Sequence, residues 1–342
     1  MKSVAAFGEI MLRLSPPGHE RFFQSPRLQT YFGGGEANVV ASLAQLGHAA
    51  RLITVLPPNE IGSAAVRELR MLGVDTGAIV RKGSRMGIYF SETGANQKPT
   101  QVVYDRAGSA IAAAGPGDID WGRSLAGMDW FHITGITPAL SRSAADLSLE
   151  AVRAAKAAGL TVSVDLNFRA KLWNYGVAAP EVMSEIFRFA DVGIANEEEF
   201  QKSLGLEVAL PNPSGRLDPS LYEAITDTVM SRFPNLAKVA VTLRENMSAD
   251  RNGWSAVLRT RSGFLTGPRY EIMDVVDRIG GGDAFVAGLI HGFDAFPTDA
   301  EALAFALAAS CLKHSIPGDF NLASEREILV LMRGDGSGRV RR

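Results

Sequence analysis

The sequence predicts an α/β fold in which helices cover both faces of a mainly parallel β-sheet. Val4–Phe7 is a short apolar run, typical of a buried strand, and residues 36–46 carry apolar side chains at helical spacing before Gly47. Residues 52–56 predict the next strand, and residues 60–72 predict the next helix. Because strands that alternate with helices usually pair in parallel, this order indicates a three-layer α/β/α domain.

The alternation continues further along the chain, and two segments interrupt it. We interpret Thr161–Asp165, 192–195 and 238–243 as strands, and 148–158, 284–293 and 300–314 as helices. Residues 12–33 are rich in proline, arginine and aromatics, and residues 86–107 hold strand-like runs around a polar turn. We interpret these two segments as a small β-sheet lid.

The chain of 342 residues is long enough for one large domain with such an appendage. We expect a single domain over residues 1–330, a surface loop at the proline-rich residues 211–219, and a flexible tail over residues 331–342.

Composition excludes several classes of protein. The net charge of -2, with acids and bases mixed along the chain, argues against nucleic-acid binding and against a polybasic membrane patch. The apolar run after Lys2 is interrupted too early for a signal peptide, and no stretch is long enough for a membrane span. The single cysteine, Cys311, cannot build a disulfide framework, so we expect a cytoplasmic protein.

A glycine-rich stretch late in the chain carries the strongest chemical signal. Gly280, Gly281 and Gly282 directly precede Asp283, and an apolar helix follows. Backbone N–H groups at such a helix start can bind an anion such as a phosphoryl group. Asp283 would lie beside that anion, where it could accept a proton from an attacking hydroxyl. The alternative is a plain tight turn capped by aspartate.

Other nucleotide-binding motifs fit this stretch poorly. A P-loop requires Lys and then Ser or Thr after its glycines, and neither glycine triplet of the chain has them. A dinucleotide fingerprint requires a third glycine where Phe285 stands, and it belongs in a first βαβ unit. Both interpretations are therefore weak.

A second glycine triplet, at residues 33–35, also opens a helix. Gly34 would let a hydroxylated ligand touch the backbone, and Asn38 could hydrogen-bond a sugar hydroxyl. The alternative here is an ordinary turn between a strand and a helix.

Together, the two stretches resemble the two signatures of the PfkB family of sugar kinases. The early stretch resembles its GG-x-x-x-N motif, and the late stretch resembles its DTxGAGD motif, which places Asp283 on the family's catalytic base. The resemblance covers nearly the whole chain and implies the ribokinase-like fold with its lid. Arg278 departs from the motif, which usually has Thr, Pro or Ser at that position.

The resemblance also implies a site for ATP and Mg²⁺. Residues 196–199 resemble the N-x-x-E motif, in which Asn196 would contact the nucleotide and Glu199 would hold Mg²⁺ through water. Thr242 and Arg244 resemble the strand end that faces the nucleotide, and the backbone of Gly280 and Gly282 is expected to bind its phosphates. A requirement for a monovalent cation stays open.

Within the family, the chain is most similar to 2-keto-3-deoxygluconate kinases. The stretches that carry this similarity are residues 104–109, 135–140, 165–169, 172–173 and 313–321. A keto acid has a carboxylate, which Arg106 and Arg169 could bind, and Tyr89 and Tyr104 could add hydroxyl donors. Glu9 follows the first strand and could accept sugar hydroxyls.

The resemblance therefore implies phosphoryl transfer from ATP to the terminal C6 hydroxyl of 2-keto-3-deoxygluconate. The gluconate and galactonate epimers are not distinguished. Two alternatives stay open: a kinase of a neutral sugar such as fructose or ribose, and a non-catalytic sensor on a kinase scaffold. Because exposed strand edges need covering, we also expect a homodimer through the lid or a larger homo-oligomer.

Overall fold

The computed structural model describes residues 1–196, 198–207 and 218–334. Its strands are β1 (Val4–Phe7), β2 (Met11–Ser15), β3 (Gln29–Gly33), β4 (Ala50–Leu56), β5 (Ile79–Arg81), β6 (Ile88–Glu92), β7 (Gln101–Asp105), β8 (Trp130–Thr134), β9 (Thr161–Asp165), β10 (Val192–Asn196), β11 (Lys238–Asn246), β12 (Asn252–Thr260), β13 (Gly263–Thr266) and β14 (Tyr270–Ile272). Its helices are α1 (Gly35–Gln45), α2 (Glu60–Met71), α3 (Trp121–Ser124), α4 (Arg142–Ala157), α5 (Ala179–Phe187), α6 (Glu199–Leu204), α7 (Leu221–Arg232), α8 (Gly281–Ala295), α9 (Asp299–Lys313) and α10 (Glu325–Met332).

The central sheet follows the predicted architecture. Its strand order is β13-β12-β11-β10-β9-β8-β1-β4-β5, and all neighbours from β11 to β5 are parallel. Along β1, Ala5 and Phe7 pack into one apolar layer, whereas Val4 and Ala6 pack into the other. The first layer includes residues of α4, α5 and α7, and the second includes residues of α1, α8 and α9. The expected three-layer α/β/α domain is confirmed.

The two segments assigned to a lid form a separate four-stranded sheet. Its order is β3-β2-β6-β7, with β2 parallel to β6 and the other pairs antiparallel. Strands β3 and β7 are its edges, and Val103 on β7 is 53% exposed. An apolar edge residue of this kind is compatible with pairing between subunits, and the homodimer through the lid stays a prediction.

Several elements were not anticipated from the sequence. The sheet continues beyond β11 into β12, β13 and β14, which are joined by antiparallel pairing. Helix α10 continues to Met332, which is two residues into the segment assigned to the flexible tail. Residues 335–342, and residues 211–217 of the predicted surface loop, lie outside the described part. No helix in the described part is long and apolar enough to cross a bilayer.

Polar side chains gather at the carboxyl ends of the parallel strands. Asn196 at the end of β10 lies in register with Thr242 on β11. Asp165 at the end of β9 lies in register with Ile194. Ligands of open α/β sheets bind at this edge, outside the ends of the strands. The fold therefore brings residues from three distant parts of the chain to one place.

Candidate active site

A cleft of about 580 Å³ lies between the lid and the carboxyl ends of the central strands. Every predicted site residue except Glu9 lines it. These lining residues are Gly34, Asn38, Tyr89, Tyr104, Arg106, Arg169, Asn196, Glu199, Thr242, Arg244, Gly280, Gly281, Gly282 and Asp283. The two glycine motifs, which are far apart in sequence, therefore belong to one site.

The triglycine turn (residues 280–282) forms the start of α8. Gly280 has a φ of 83°, in the left-handed region, and a Cβ there would lie 2.1 Å from the carbonyl oxygen of Asp319. Gly282 faces open space. The first helical hydrogen bond runs from the N–H of Ala284 to the oxygen of Gly280 at 2.8 Å. The N–H groups that precede it lie at the positive end of the helix dipole, which suits an anion.

Asp283 connects the two glycine motifs. The Asn38 side-chain amide donates to Asp283 Oδ2 at 2.7 Å, and the Gly34 N–H donates to Asn38 Oδ1 at 3.2 Å. Gly34 needs to be glycine, because a Cβ would lie 1.9 Å from the carbonyl oxygen of Glu9. Burial raises the pKa of Asp283 to about 6, although Asn38 and Arg169 act to lower it. A carboxylate with this pKa is ionised at neutral pH and basic enough to accept a proton.

The raised pKa of Asp283 predicts how activity depends on pH. A general base must be deprotonated, so kcat/KM should be maximal above about pH 6 and should fall as the pH drops through about 6. The measurement is a pH profile of kcat/KM, with protein unfolding followed in parallel. A profile that is flat down to the ordinary range of an exposed aspartate would contradict the assignment.

Glu9 does not line the cleft, which corrects its assignment to the sugar. It is only 3% exposed, and its Oε2 accepts a hydrogen bond from Arg106 Nε at 2.8 Å. Its Oε1 accepts from the Ser109 hydroxyl at 2.6 Å. Because Glu9 is buried and does not line the cleft, its carboxylate orients Arg106 rather than binding a ligand. The charge of Arg106 is correspondingly neutralised by this ion pair.

The two lid tyrosines differ in what their hydroxyls can do. Their rings lie 5.9 Å apart between centroids, and both line the cleft. The Tyr89 hydroxyl donates to Asp319 Oδ2 and is therefore already engaged, whereas Tyr104 is 39% exposed. Burial, reinforced by Asp319, raises the pKa of Tyr89 well above its ordinary value. Tyr104 is thus the better candidate to donate to a substrate.

Arg169 follows β9 in a loop that starts with an unusual backbone turn. Asn167 has a φ of 36°, and its side-chain amide donates to Asp165 Oδ2 at 3.2 Å. Arg169 Nη1 donates to the carbonyl oxygen of Phe168 at 3.0 Å. Its positive charge acts to lower the pKa of both Asp165 and Asp283. The guanidinium therefore lies within electrostatic reach of both carboxylates.

The part of the cleft at the ends of β10 and β11 has the features expected of a nucleotide site. Thr242 on β11 neighbours Asn196, and Arg244 lies over the Trp254 ring, 4.8 Å from its centroid. Glu199 at the start of α6 accepts from the N–H of Phe168 at 2.9 Å and from the N–H of Asn196 at 2.8 Å. Its carboxylate thus fixes the ends of both β9 and β10.

The carboxylates at the centre of the cleft fit a hydrated Mg²⁺. Among the described residues, no group of three or more His, Cys, Asp or Glu side chains forms a complete metal site. Mg²⁺ usually keeps several waters and takes few ligands from the protein, so it needs no such group. Burial, followed by the charges of Glu199 and Asp283, raises the pKa of Asp165 well above its ordinary value. A cation here would relieve that repulsion.

Three charged residues of the cleft were not assigned a role from the sequence. They are Asp165, Asp319 and Arg278. Asp165 could have been found, because a polar residue at the end of a buried strand is a signal for a site. Asp319 follows α9 and contacts the lid residues Arg13 and Tyr89. These residues are far away in sequence, so spacing could not predict the contact. From the sequence, Arg278 was noted only because it departs from the DTxGAGD motif, and no role was predicted for it.

Comparisons with known proteins place the chain among carbohydrate kinases. The family model described as pfkB family carbohydrate kinase matches residues 1–323. A 2-dehydro-3-deoxygalactonokinase of Haloferax volcanii is 31% identical, with 98% of each chain covered. A 2-dehydro-3-deoxygluconokinase of Bacillus subtilis is 26% identical over 95% of this chain and 93% of that one. The crystal structure of a 2-dehydro-3-deoxygluconokinase from Thermotoga maritima superimposes with a TM-score of 0.91 and 45% identity, covering 98% of this chain and 100% of that one.

Proposed function

This chain belongs to the pfkB family of carbohydrate kinases, and we propose that it phosphorylates 2-keto-3-deoxygluconate, also called 2-dehydro-3-deoxygluconate, at the C6 hydroxyl with ATP. The names of the three relatives described above support a keto-deoxy sugar acid as substrate. The products would be 2-keto-3-deoxy-6-phosphogluconate and ADP. The family resemblance deduced from the sequence is thereby confirmed, and the choice of substrate rests on the charge of the cleft.

The main support for this substrate is the positive charge of Arg169, which acts on the proposed base, Asp283. Among the described residues, no carboxylate forms an ion pair with Arg169, whereas Arg106 is neutralised by Glu9. A guanidinium binds a carboxylate through two parallel hydrogen bonds, which a neutral sugar cannot provide. Arg169 therefore provides a binding site for the carboxylate of a sugar acid, with the other end of the sugar directed to Asp283.

The proposed reaction moves one proton and one phosphoryl group. Asp283 accepts the proton of the sugar hydroxyl while its oxygen attacks the γ-phosphorus. The bond between that phosphorus and the bridging oxygen of ADP breaks, and the electron pair stays with ADP. The N–H groups of the triglycine turn stabilise the charge on the transferred group.

Nucleotide and metal would occupy the other half of the cleft. Thr242, Arg244 and Asn196 would contact ATP, and the waters of Mg²⁺ would be held by Glu199 and Asp165. When bound, Mg²⁺ neutralises phosphate charge. Strands of the lid above the cleft would exclude water, which otherwise competes with the sugar as acceptor.

Replacing Arg169 with Ala tests the role of substrate charge. We expect kcat/KM for 2-keto-3-deoxygluconate to fall about 10- to 100-fold, mainly through KM, because a charge-assisted hydrogen bond is lost. Any slow turnover of fructose or ribose should change little. Steady-state kinetics with each sugar at saturating ATP provide the measurement.

The matched control is Arg142→Ala, which removes an exposed arginine paired with Asp146 outside the cleft. Its kinetics should equal those of the wild type. An equal loss for acidic and neutral sugars in Arg169→Ala would contradict carboxylate binding by Arg169.

A further inference from the structure

Arg278 is a second cation that lines the cleft without an acidic partner in the described part of the chain. Its Nη2 donates to the side-chain oxygen of Asn252 at 3.0 Å. Its Nε is buried and has no acceptor among the described residues. Burial lowers the pKa of Arg278, and no carboxylate offsets that effect. A half-buried cation with an unused donor is unfavourable unless an anion binds to it.

Two other buried arginines near the cleft have a carboxylate partner, which Arg278 lacks. Arg13 is buried between Asp277 and Asp319, and Arg106 is buried against Glu9. In these places the fold supplies the carboxylate that compensates the buried charge. At Arg278, which lines the cleft, it supplies only a neutral amide.

Two connections place Arg278 on the nucleotide side of the cleft. Its hydrogen bond to Asn252 ties it to β12, the strand that carries Trp254 beneath Arg244. Along the chain it stands two residues before the triglycine turn, where the transferred phosphoryl group would bind.

We propose that Arg278 binds the α- and β-phosphate oxygens of the nucleotide, a role that rests on the proposed kinase function. Two cleft arginines without a carboxylate partner among the described residues would then bind two anionic ligands. Arg169 would bind the sugar carboxylate, and Arg278 would bind the phosphates of the nucleotide. Phosphate oxygens would supply the acceptor that Nε lacks and would compensate the charge. Arg278 is thus a nucleotide-binding residue at a position where the family motif has a small side chain or proline.

Binding of ADP and adenosine to Arg278→Thr, measured by titration calorimetry without any sugar, tests this role. ADP affinity should fall about 10- to 100-fold relative to the wild type, because charge-assisted hydrogen bonds to phosphate are lost. Adenosine affinity should not change, since adenosine has no phosphate. Arg278→Lys should keep part of the ADP affinity, because a lysine preserves the charge but not the planar fork.

Arg261→Thr is the control, since Arg261 donates to the carbonyl oxygens of Leu236 and Pro234 outside the cleft. It should bind both ligands as the wild type does. Unchanged ADP affinity in Arg278→Thr would overturn the role of Arg278 and leave the kinase proposal intact. An equal loss for ADP and adenosine would indicate a structural role and would also overturn it. A wild-type protein that binds no ADP would overturn the kinase proposal, and this inference with it.

Discussion

Replacing Asp283 with Asn is expected to lower kcat/KM about 10²- to 10⁴-fold, the range typical of losing a general base. The amide cannot accept the proton of the sugar hydroxyl, whereas the triglycine turn that binds the phosphoryl group is unchanged. The hydrogen bond from Asn38 can be kept, because the introduced side-chain amide also has an oxygen acceptor. Steady-state kinetics with 2-keto-3-deoxygluconate and ATP provide the measurement.

The stability of the same variant separates a chemical role from a structural one. The pKa of Asp283 is raised to about 6 in the folded protein, so the carboxyl group's contribution to stability is lost as the pH rises through that value. A neutral Asn avoids this loss, and Asp283→Asn should therefore be at least as stable as the wild type at pH values above about 6. Near-normal turnover would contradict the role of Asp283 as the base. If the Tm of Asp283→Asn fell strongly, the loss of activity would have to be explained by unfolding instead.

Replacing Arg13 with Met is expected to cause the largest loss of stability. Arg13 on lid strand β2 is 2% exposed, and its Nη1 lies 2.7 Å from Asp277 and 3.2 Å from Asp319. Burial raises the pKa of Asp319, and Arg13 acts to lower it. Removing one partner from a buried ion pair costs about 3–5 kcal/mol, because the remaining charges are left uncompensated. Unfolding by denaturant, followed by circular dichroism, measures the change.

An exposed arginine provides the control for this experiment. Arg142→Met removes an i,i+4 pair on the surface of α4, and it should change the free energy of unfolding by about 0.5 kcal/mol or less. The loss in Arg13→Met should shrink at acidic pH, because the carboxylates then become protonated. Equal stability of the two variants would contradict an ionic connection between the lid and the main domain.

Local signals explain why much of the fold could be predicted from the sequence. Strands Val4–Phe7 and Thr161–Asp165 were predicted with the bounds that the structure has. The first is a short apolar run, and the second alternates valines with polar residues. The antiparallel strands after β11 were not anticipated. The pairing of these strands depends on residues outside each strand, which a local sequence pattern does not identify. In addition, β12 is buried along most of its length, so its sequence does not alternate between apolar and polar residues.

The candidate site shows the same division. The positions of Asn38 and Asp283 follow from motifs whose spacing can be read directly, and the structure brings them within 2.7 Å. The pairing of Glu9 with Arg106 and of Tyr89 with Asp319 joins residues that are 97 and 230 positions apart. Contacts of that kind decide which polar group is free for a ligand, and sequence spacing carries no information about them.

The most direct test of the central claim is ADP release from ATP and Mg²⁺ by the purified wild-type protein. The sugars compared should be 2-keto-3-deoxygluconate, its galacto epimer, fructose and ribose. The carboxylate site at Arg169 predicts turnover of one or both keto acids and little turnover of the neutral sugars. Turnover of fructose or ribose alone would contradict the proposed substrate class, while leaving Asp283 as the base of a carbohydrate kinase.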